Sequence, residues 1–165
     1  MEAFLSNDIG ILSPSESGMS DFKECLRHLR DKNADEALLH VRRALEIAPK
    51  NPFYLSYTGL LVAISEQRFG DGETLCLEAL GMRHNHAQLY LNLAEVYQSA
   101  GRPQQAVEVL EKGLVSTGRD PQIRRALKKV GRRREPVLSF LDRGHPLNQI
   151  LGKWRHQLIG PPKAA

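Results

Sequence analysis

The sequence predicts an all-α fold: a right-handed α-solenoid of three helix pairs, a capping helix and a C-terminal amphipathic helix. Three segments align when the sequence is shifted by a period near 34 residues, with small residues at fixed places. These segments are Phe22-Cys25-Leu26-Leu29 with Ala37, Leu55-Thr58-Gly59-Val62 with Ala79, and Tyr90-Leu93-Ala94-Tyr97 with Ala106. Only 6% of the 165 residues are aromatic, which suits closely packed helices better than sandwiched strands.

The first helix pair is predicted within residues 19–51. Residues 1–18 end in a run rich in serine, proline and glycine, so we expect a mobile tail there, and Ser20 is predicted to be the first N-cap. The bulky residues of the first helix recur at i, i+3, i+4 and i+7 until Asp31-Lys32-Asn33 interrupts them. The second helix is predicted to stop at Pro49.

The second and third pairs are predicted within residues 52–86 and 87–120. In the second pair, helices at about 53–66 and 73–82 are separated by a predicted turn at Gly70-Asp71-Gly72. In the third pair, helices at about 87–100 and 103–115 flank Gly101-Arg102-Pro103, where the proline suits the first turn of a helix. The helix ends are predicted near Asn33, Pro49, Gly70, Met82, Gly101 and Gly118.

This pattern resembles the tetratricopeptide repeat family, most closely in the third unit. The matching residues there are Tyr90, Leu93, Ala94 and Tyr97 in the first helix, Gly101 at the turn, and Ala106 and Leu110 in the second helix. The resemblance implies a stack of helix pairs that offers a surface to another protein. We therefore predict a non-catalytic adaptor or scaffold that binds a peptide or protein segment in a concave groove.

The first helix of each pair is expected to line this groove. The predicted contact residues are Lys23, Arg27 and Arg30 from the first pair, Phe53, Ser56 and Leu60 from the second, and Gln88, Leu91, Glu95 and Gln98 from the third. A groove that is basic at one end and partly apolar in the middle suits an extended or helical peptide with acidic residues at one end.

Some members of the family bind the free C-terminus of chaperones through five polar and basic groups on the concave face. By this resemblance, the residues at the corresponding positions are Lys23, Arg27, Tyr57, Gln88 and Asn92. An asparagine and the basic residues of the third repeat are therefore missing. The resemblance therefore argues against this carboxylate clamp.

Charge is distributed unevenly along the chain. Residues 1–118 carry 11 Lys/Arg against 16 Asp/Glu, whereas residues 119–165 carry 12 against 3, so the two parts have net charges of −5 and +9. A capping helix is predicted over 121–131, with a basic face that is also a candidate patch for an acidic partner or nucleic acid. The residues of this patch are Arg124, Arg125, Lys128, Lys129 and Arg132. No interleaved aromatic residues or nucleic-acid-reading motif accompany them, so we do not expect nucleic acid as the partner.

The C-terminal extension, residues 132–165, contains a predicted helix at about 146–158. Its apolar stripe consists of Leu147, Ile150, Leu151, Trp154 and Leu158. The stripe suits packing on the chain's own solenoid, docking to a partner or second copy, or contact with an anionic membrane.

No phosphate-binding loop, nucleophile elbow or zinc-protease motif occurs, so we predict neither an enzyme nor a bound cofactor or metal. Cys25 and Cys76 fall on apolar helix positions, which indicates buried, reduced thiols in a reducing compartment. Without a secretory signal or a membrane-spanning run, we expect a cytoplasmic protein of unknown oligomeric state. The alternatives to a general adaptor are a nucleic-acid-associated protein that uses the basic C-terminal segment and a dedicated secretion or assembly chaperone.

Overall fold

The computed structural model describes residues 14–131, and these form seven α-helices with no strand among them. The helices are α1 (Pro14–Arg30), α2 (Ala34–Ile47), α3 (Pro52–Ser65), α4 (Phe69–Met82), α5 (Ala87–Ser99), α6 (Pro103–Ser116) and α7 (Pro121–Gly131). Three antiparallel pairs, α1–α2, α3–α4 and α5–α6, stack in chain order, and α7 follows the last pair. The predicted all-α helical-repeat solenoid is therefore confirmed.

Each turn within a pair contains one residue in the left-handed backbone region. These residues are Lys32 (φ 63°), Gln67 (φ 56°) and Gly101 (φ 72°). Such a residue reverses the chain in a few positions, and here it lets the second helix of each pair begin close to the end of the first. The turns are thus repeated features, although only one of them uses glycine.

Small residues at equivalent positions bring the two helices of each pair together. In the first helices these residues are Cys25, Gly59 and Ala94, and in the second helices they are Ala37, Gly72 and Ala106. All six are buried, so a larger side chain at any of them would separate the helix backbones. The sequence signal of small residues at a period near 34 therefore reflects helix contact.

The predicted turn at Gly70-Asp71-Gly72 is wrong. These residues lie inside α4, which begins at Phe69, and the chain reverses instead at Glu66, Gln67 and Arg68. Gly72 is there because the backbone of α3 passes close by, with Gly59 opposite it. The prediction treated a glycine needed for close packing as a turn signal.

The start of α1 also differs from the prediction. The helix begins at Pro14, so Ser20 is an internal residue rather than an N-cap, and the expected tail boundary at residue 18 falls within α1. Gly18 is buried, and a Cβ at this position would lie 3.3 Å from Ile47 Cγ2 of α2. This packing extends α1 toward its N-terminus by more than one turn beyond the predicted start.

The apolar core runs continuously from the first pair to α7. One cluster of buried side chains joins α1, α2 and α3, and a second joins α3 to α7. Leu45, Phe53, Tyr57 and Ile64 contact both clusters. Two predicted features lie outside the described residues: the tail before Pro14 and the C-terminal extension 132–165 with its helix at about 146–158.

Candidate interaction groove

The first helices of the pairs, together with α7, form one surface of the stack. The ring of Phe22 in α1 lies 4.8 Å from that of Tyr54 and 5.2 Å from that of Tyr57, both in α3. Helix α3 in turn contacts α5, where Asn92 Nδ2 donates a hydrogen bond to Ser56 Oγ at 3.0 Å. We call the surface of α1, α3, α5 and α7 that faces away from α2, α4 and α6 the inner face.

These two contacts correct the sequence alignment of the first repeat by one residue. Tyr57 contacts Phe22 just as Asn92, its equivalent 35 residues later, contacts Ser56. Phe22 is thus equivalent to Ser56, and the small residue of α1 is the fully buried Cys25 rather than Leu26. The sequence alignment placed Phe22 at a position where the other repeats have a bulky residue. In the structure Asp21 holds that position in the first repeat, and Phe22 holds the next one.

The correction removes Lys23 and Arg27 from the inner face. Both are exposed, and Lys23 is equivalent to Tyr57 and Asn92, which point back toward the preceding repeat. Arg27 forms an ion pair with Glu24 at 2.7 Å along α1. Arg30 is exposed at the end of α1. The inner-face positions of α1 belong to Phe22 and Leu26, so this end of the surface is apolar rather than basic.

Two of the three residues predicted in the second repeat lie below the surface. Ser56 is 0% and Leu60 6% exposed, so neither is available to a partner without rearrangement. Phe53 is half-buried, with the His86 ring edge-on at 4.6 Å and the Arg83 guanidinium 5.7 Å from its centroid. Of the three, Phe53 is the one whose side chain reaches the surface.

A chain of side-chain hydrogen bonds runs from the inner face into the core. Gln88 Nε2 donates to Asn92 Oδ1 at 2.8 Å, and Asn92 donates onward to Ser56. The Ser56 carbonyl also accepts a bond from the Cys76 thiol at 3.4 Å. Because Asn92 is only 2% exposed, Gln88 is the polar end of this chain that reaches solvent. The sequence singled out Asn92 through the clamp comparison and Ser56 as a groove residue, but it did not predict the hydrogen bond between them.

The remaining residues predicted on α5 lie on the inner face. Leu91 and Gln98 are half-buried, and Glu95 is exposed. With Gln88 they form a strip of amide, apolar and acidic groups along the helix. This strip is therefore the candidate contact surface on α5.

Helix α7 carries four exposed cations, Arg124, Arg125, Lys128 and Lys129. Its opposite side is apolar, because Ile123 is fully buried and Val130 is 3% exposed in the same core as α5. Asp120 caps the helix by accepting a hydrogen bond from the Gln122 N–H at 2.7 Å. Arg132, the fifth predicted residue of the basic patch, lies outside the described residues.

Both cysteines of the described helices are buried. Burial raises the pKa of the Cys25 thiol to about 12, and it raises that of Cys76 to about 12 as well. Thiols of this kind are poor nucleophiles at neutral pH. Between residues 14 and 131 no three His, Cys, Asp or Glu side chains are grouped to hold a metal ion, and no helix is long and apolar enough to cross a membrane.

A comparison with protein families gives a match to the later helices of the stack. Residues 63–130, from the end of α3 to α7, match the family model described as tetratricopeptide repeat. This part of the chain is similar to tetratricopeptide repeats. The predicted resemblance is confirmed, and the match includes α4, whose beginning the sequence did not predict correctly. A comparison with curated proteins gives no match.

Solved tetratricopeptide structures have the same fold. The Sgt2 TPR domain from Aspergillus fumigatus is 21% identical with a TM-score of 0.61, and the match covers 83% of this chain and 96% of that domain. The second TPR domain of human RPAP3, solved with the HSP70 peptide SGPTIEEVD, is 13% identical with a TM-score of 0.57, covering 72% and 98%. An O-GlcNAc transferase from Thermobaculum terrenum is 18% identical with a TM-score of 0.62, covering 88% of this chain but 27% of that enzyme.

Proposed function

We propose that this chain is a non-catalytic adaptor or scaffold that binds a segment of another protein along its inner face. The observation that carries the proposal is the strip on α5, where the half-buried Leu91 lies among the polar side chains of Gln88, Glu95 and Gln98. Peptide-binding grooves combine apolar contact with a few fixed polar groups in this way. The buried thiols and the lack of a metal-binding cluster in the described helices favour binding over chemistry.

The buried hydrogen bonds of Asn92 support a preformed surface. Both ends of its amide are held, one by Ser56 and the other by Gln88. A surface whose polar groups are already fixed loses less conformational entropy when a ligand binds. We therefore expect binding without a large rearrangement of α3 and α5.

The mode of binding differs from that of the chaperone-tail clamp. After the one-residue correction, the two clamp positions of the first repeat are held by Phe22 and Leu26 rather than by Lys23 and Arg27. An aromatic and an aliphatic side chain cannot neutralise a carboxylate. The human RPAP3 domain solved with an HSP70 peptide therefore supports peptide binding as the class of function, but not the same contact residues here.

Two matched substitutions test the proposal. Leu91→Asp places a charge on the inner face, whereas Leu77→Asp makes the same change at a 48% exposed position on the outer helix α4. With peptides selected from a random display library as probes, we expect Leu91→Asp to weaken binding about tenfold or more, equivalent to ~1.4 kcal/mol, and Leu77→Asp to leave it unchanged. Circular dichroism verifies that both variants fold. Equal effects of the two changes, or no selectable peptide at all, would reject binding at the inner face.

Nucleic-acid binding through the basic C-terminal part is the rival function. It would be strong in dilute buffer and would weaken steeply as salt rises, because phosphate contacts release counterions. Sub-micromolar binding to duplex or single-stranded nucleic acid at physiological salt, tighter than the usual non-specific range, would favour this rival. A dedicated secretion or assembly chaperone would bind its single client through the same inner face, so the Leu91 test applies to it too.

A further inference from the structure

We propose that two of the four cations of α7, Arg125 and Lys129, belong to the binding surface and hold the acidic end of a bound peptide, whereas Arg124 and Lys128 serve only to solvate the last helix of the described stack. This inference rests on the proposed function and specifies its partner as a segment with at least two carboxylates at one end. It also moves the basic end of the groove from α1, where the sequence predicted it, to α7.

The first step is that α7 occupies the place of the first helix of a fourth repeat. Ile123 and Val130 follow Leu89 and Val96 of α5 by 34 residues each, and all four side chains are buried. Helix α7 thus follows α5 by one repeat length, and the equivalent buried residues of both helices pack against the preceding repeat.

The second step assigns the cations to two sides of α7. In α5, Tyr90 and Ala94 face the outer helix α6, since a Cβ on Gly113 of α6 would lie 2.6 Å from the Tyr90 ring. Their equivalents 34 residues later are Arg124 and Lys128. No outer helix follows α7 within the described residues, so these two cations occupy the side that such a helix would cover. A charged surface there suits a terminal cap.

The same spacing puts Arg125 and Lys129 at the positions of Leu91 and Glu95. Those positions form the inner face of α5, so this pair of cations continues the α5 strip onto α7. The two lie one helical turn apart on the same side of α7, with Cβ atoms about 5–6 Å from each other. Two carboxylates of one peptide can therefore be bound together.

The third step is that both cations are available. Within residues 14–131 neither Arg125 nor Lys129 has an ion pair or a side-chain hydrogen bond, and both are exposed. Arg124 differs, because its guanidinium donates to the Arg119 carbonyl at 3.5 Å, on the loop before α7. An exposed Arg–Lys pair beside a half-apolar strip is complementary to a peptide with an apolar middle and an acidic end.

The test compares two charge reversals of equal size on the same helix. Arg125→Glu/Lys129→Glu changes the inner-face pair, and Arg124→Glu/Lys128→Glu changes the cap pair. Each full-length variant and the wild type are used to select peptides from the same random display library, and the selected sequences are compared position by position. We expect Asp and Glu to be enriched at one end of the wild-type and cap-variant peptides. We expect that enrichment to vanish with the inner-face variant, which should also bind wild-type-selected peptides at least tenfold more weakly.

The possible failures are distinguishable. Peptides selected without any acidic bias would overturn this inference and leave peptide binding intact, whereas failure to select peptides at all would overturn the proposed function. Equal loss of binding in the two variants would show that the four cations act as one undirected patch, which is also what a nucleic-acid site predicts. Thermal unfolding of both variants controls for damage to α7.

Discussion

Gly59 of α3 and Gly72 of α4 face each other so closely that neither position has room for a methyl group. A Cβ added to Gly59 would lie 2.7 Å from the carbonyl oxygen of Gly72, and one added to Gly72 would lie 2.5 Å from that of Gly59. Both contacted atoms are backbone carbonyl oxygens, which cannot move away as the end of a flexible side chain can. The second repeat is therefore held together by direct contact between two helix backbones.

Replacing Gly72 by alanine should destabilise the protein by about 1–3 kcal/mol, because the new methyl group forces α3 and α4 apart. The gain in helix propensity, about 1 kcal/mol, is too small to offset this. Gly70 of the same helix is the matched control, since nothing lies within 4 Å of its missing Cβ. Gly70→Ala should stabilise the protein by about 0.5–1 kcal/mol. Urea unfolding of both variants measures the contrast, and the same sign for both would contradict it.

Ala94→Leu should cost about 1–3 kcal/mol by overpacking. Ala94 is the equivalent of Gly59 in the third repeat and is 2% exposed, so the core has no room for a longer side chain. Glu95→Leu, at the exposed neighbouring position, adds a leucine without entering the core. A thermal midpoint that is unchanged in Ala94→Leu would show that α5 and α6 are not packed as described.

Asn92→Ala should destabilise the protein by about 1–3 kcal/mol, because it leaves the buried Ser56 hydroxyl and the Gln88 amide without their partner. Ser56→Ala breaks the same Asn92–Ser56 bond from the other side. The double variant should then lose less than the two single variants added together, since they share one interaction. Strict additivity in a denaturant-unfolding cycle would mean that the Asn92–Ser56 bond contributes nothing to stability.

Glu73 should make the link between the second and third repeats sensitive to acid. Burial by itself raises the pKa of this carboxyl, but hydrogen bonds from Arg102 and Tyr97 outweigh burial and hold the pKa below its ordinary value of 4.5. A lowered pKa in the folded state stabilises the protein above pH 4.5, and this stabilisation disappears as the pH falls through the folded-state pKa.

The measurement is the difference in unfolding free energy between the wild type and Glu73→Gln across that pH range. The variant should be less stable at neutral pH, and the difference should shrink toward zero in acid. Glu78→Gln, at an exposed position of the same helix, is the control for general effects of removing a carboxylate. A difference that stays constant with pH would contradict the ion pair between Arg102 and Glu73.

The third repeat could be predicted from its sequence almost to the residue, because Tyr90, Ala94 and Gly101 each have one obvious structural role. The second repeat was harder, since Gly72 satisfies a packing requirement that looks like a turn signal, while the true turn at Gln67 carries no glycine. In the first repeat, Phe22 and Cys25 are compatible with two alignments one residue apart. The ring contact between Phe22 and Tyr57, compared with the hydrogen bond between Asn92 and Ser56, decides between them.

The candidate site was less predictable than the fold for a related reason. Side chains with the same charge at adjacent positions, such as Arg124 and Arg125, cannot be told apart until the side of the helix that packs is known. The buried Ile123 and Val130 provide that reference. A one-residue shift in α1 likewise replaced predicted cations by apolar groups on the inner face.

Within residues 14–131, helix α7 takes the place of the first helix of a repeat and has no second helix beside it. Its spacing from α5 is already one full repeat, and the two side chains that a further outer helix would have to meet are Arg124 and Lys128, in the places of Tyr90 and Ala94. Exchanging that pair for tyrosine and alanine, and inserting a copy of α6 after Gly131, would give α7 an outer helix to pack against. The array could then be lengthened one unit at a time, because the residues at these two positions determine whether an outer helix can pack on α7.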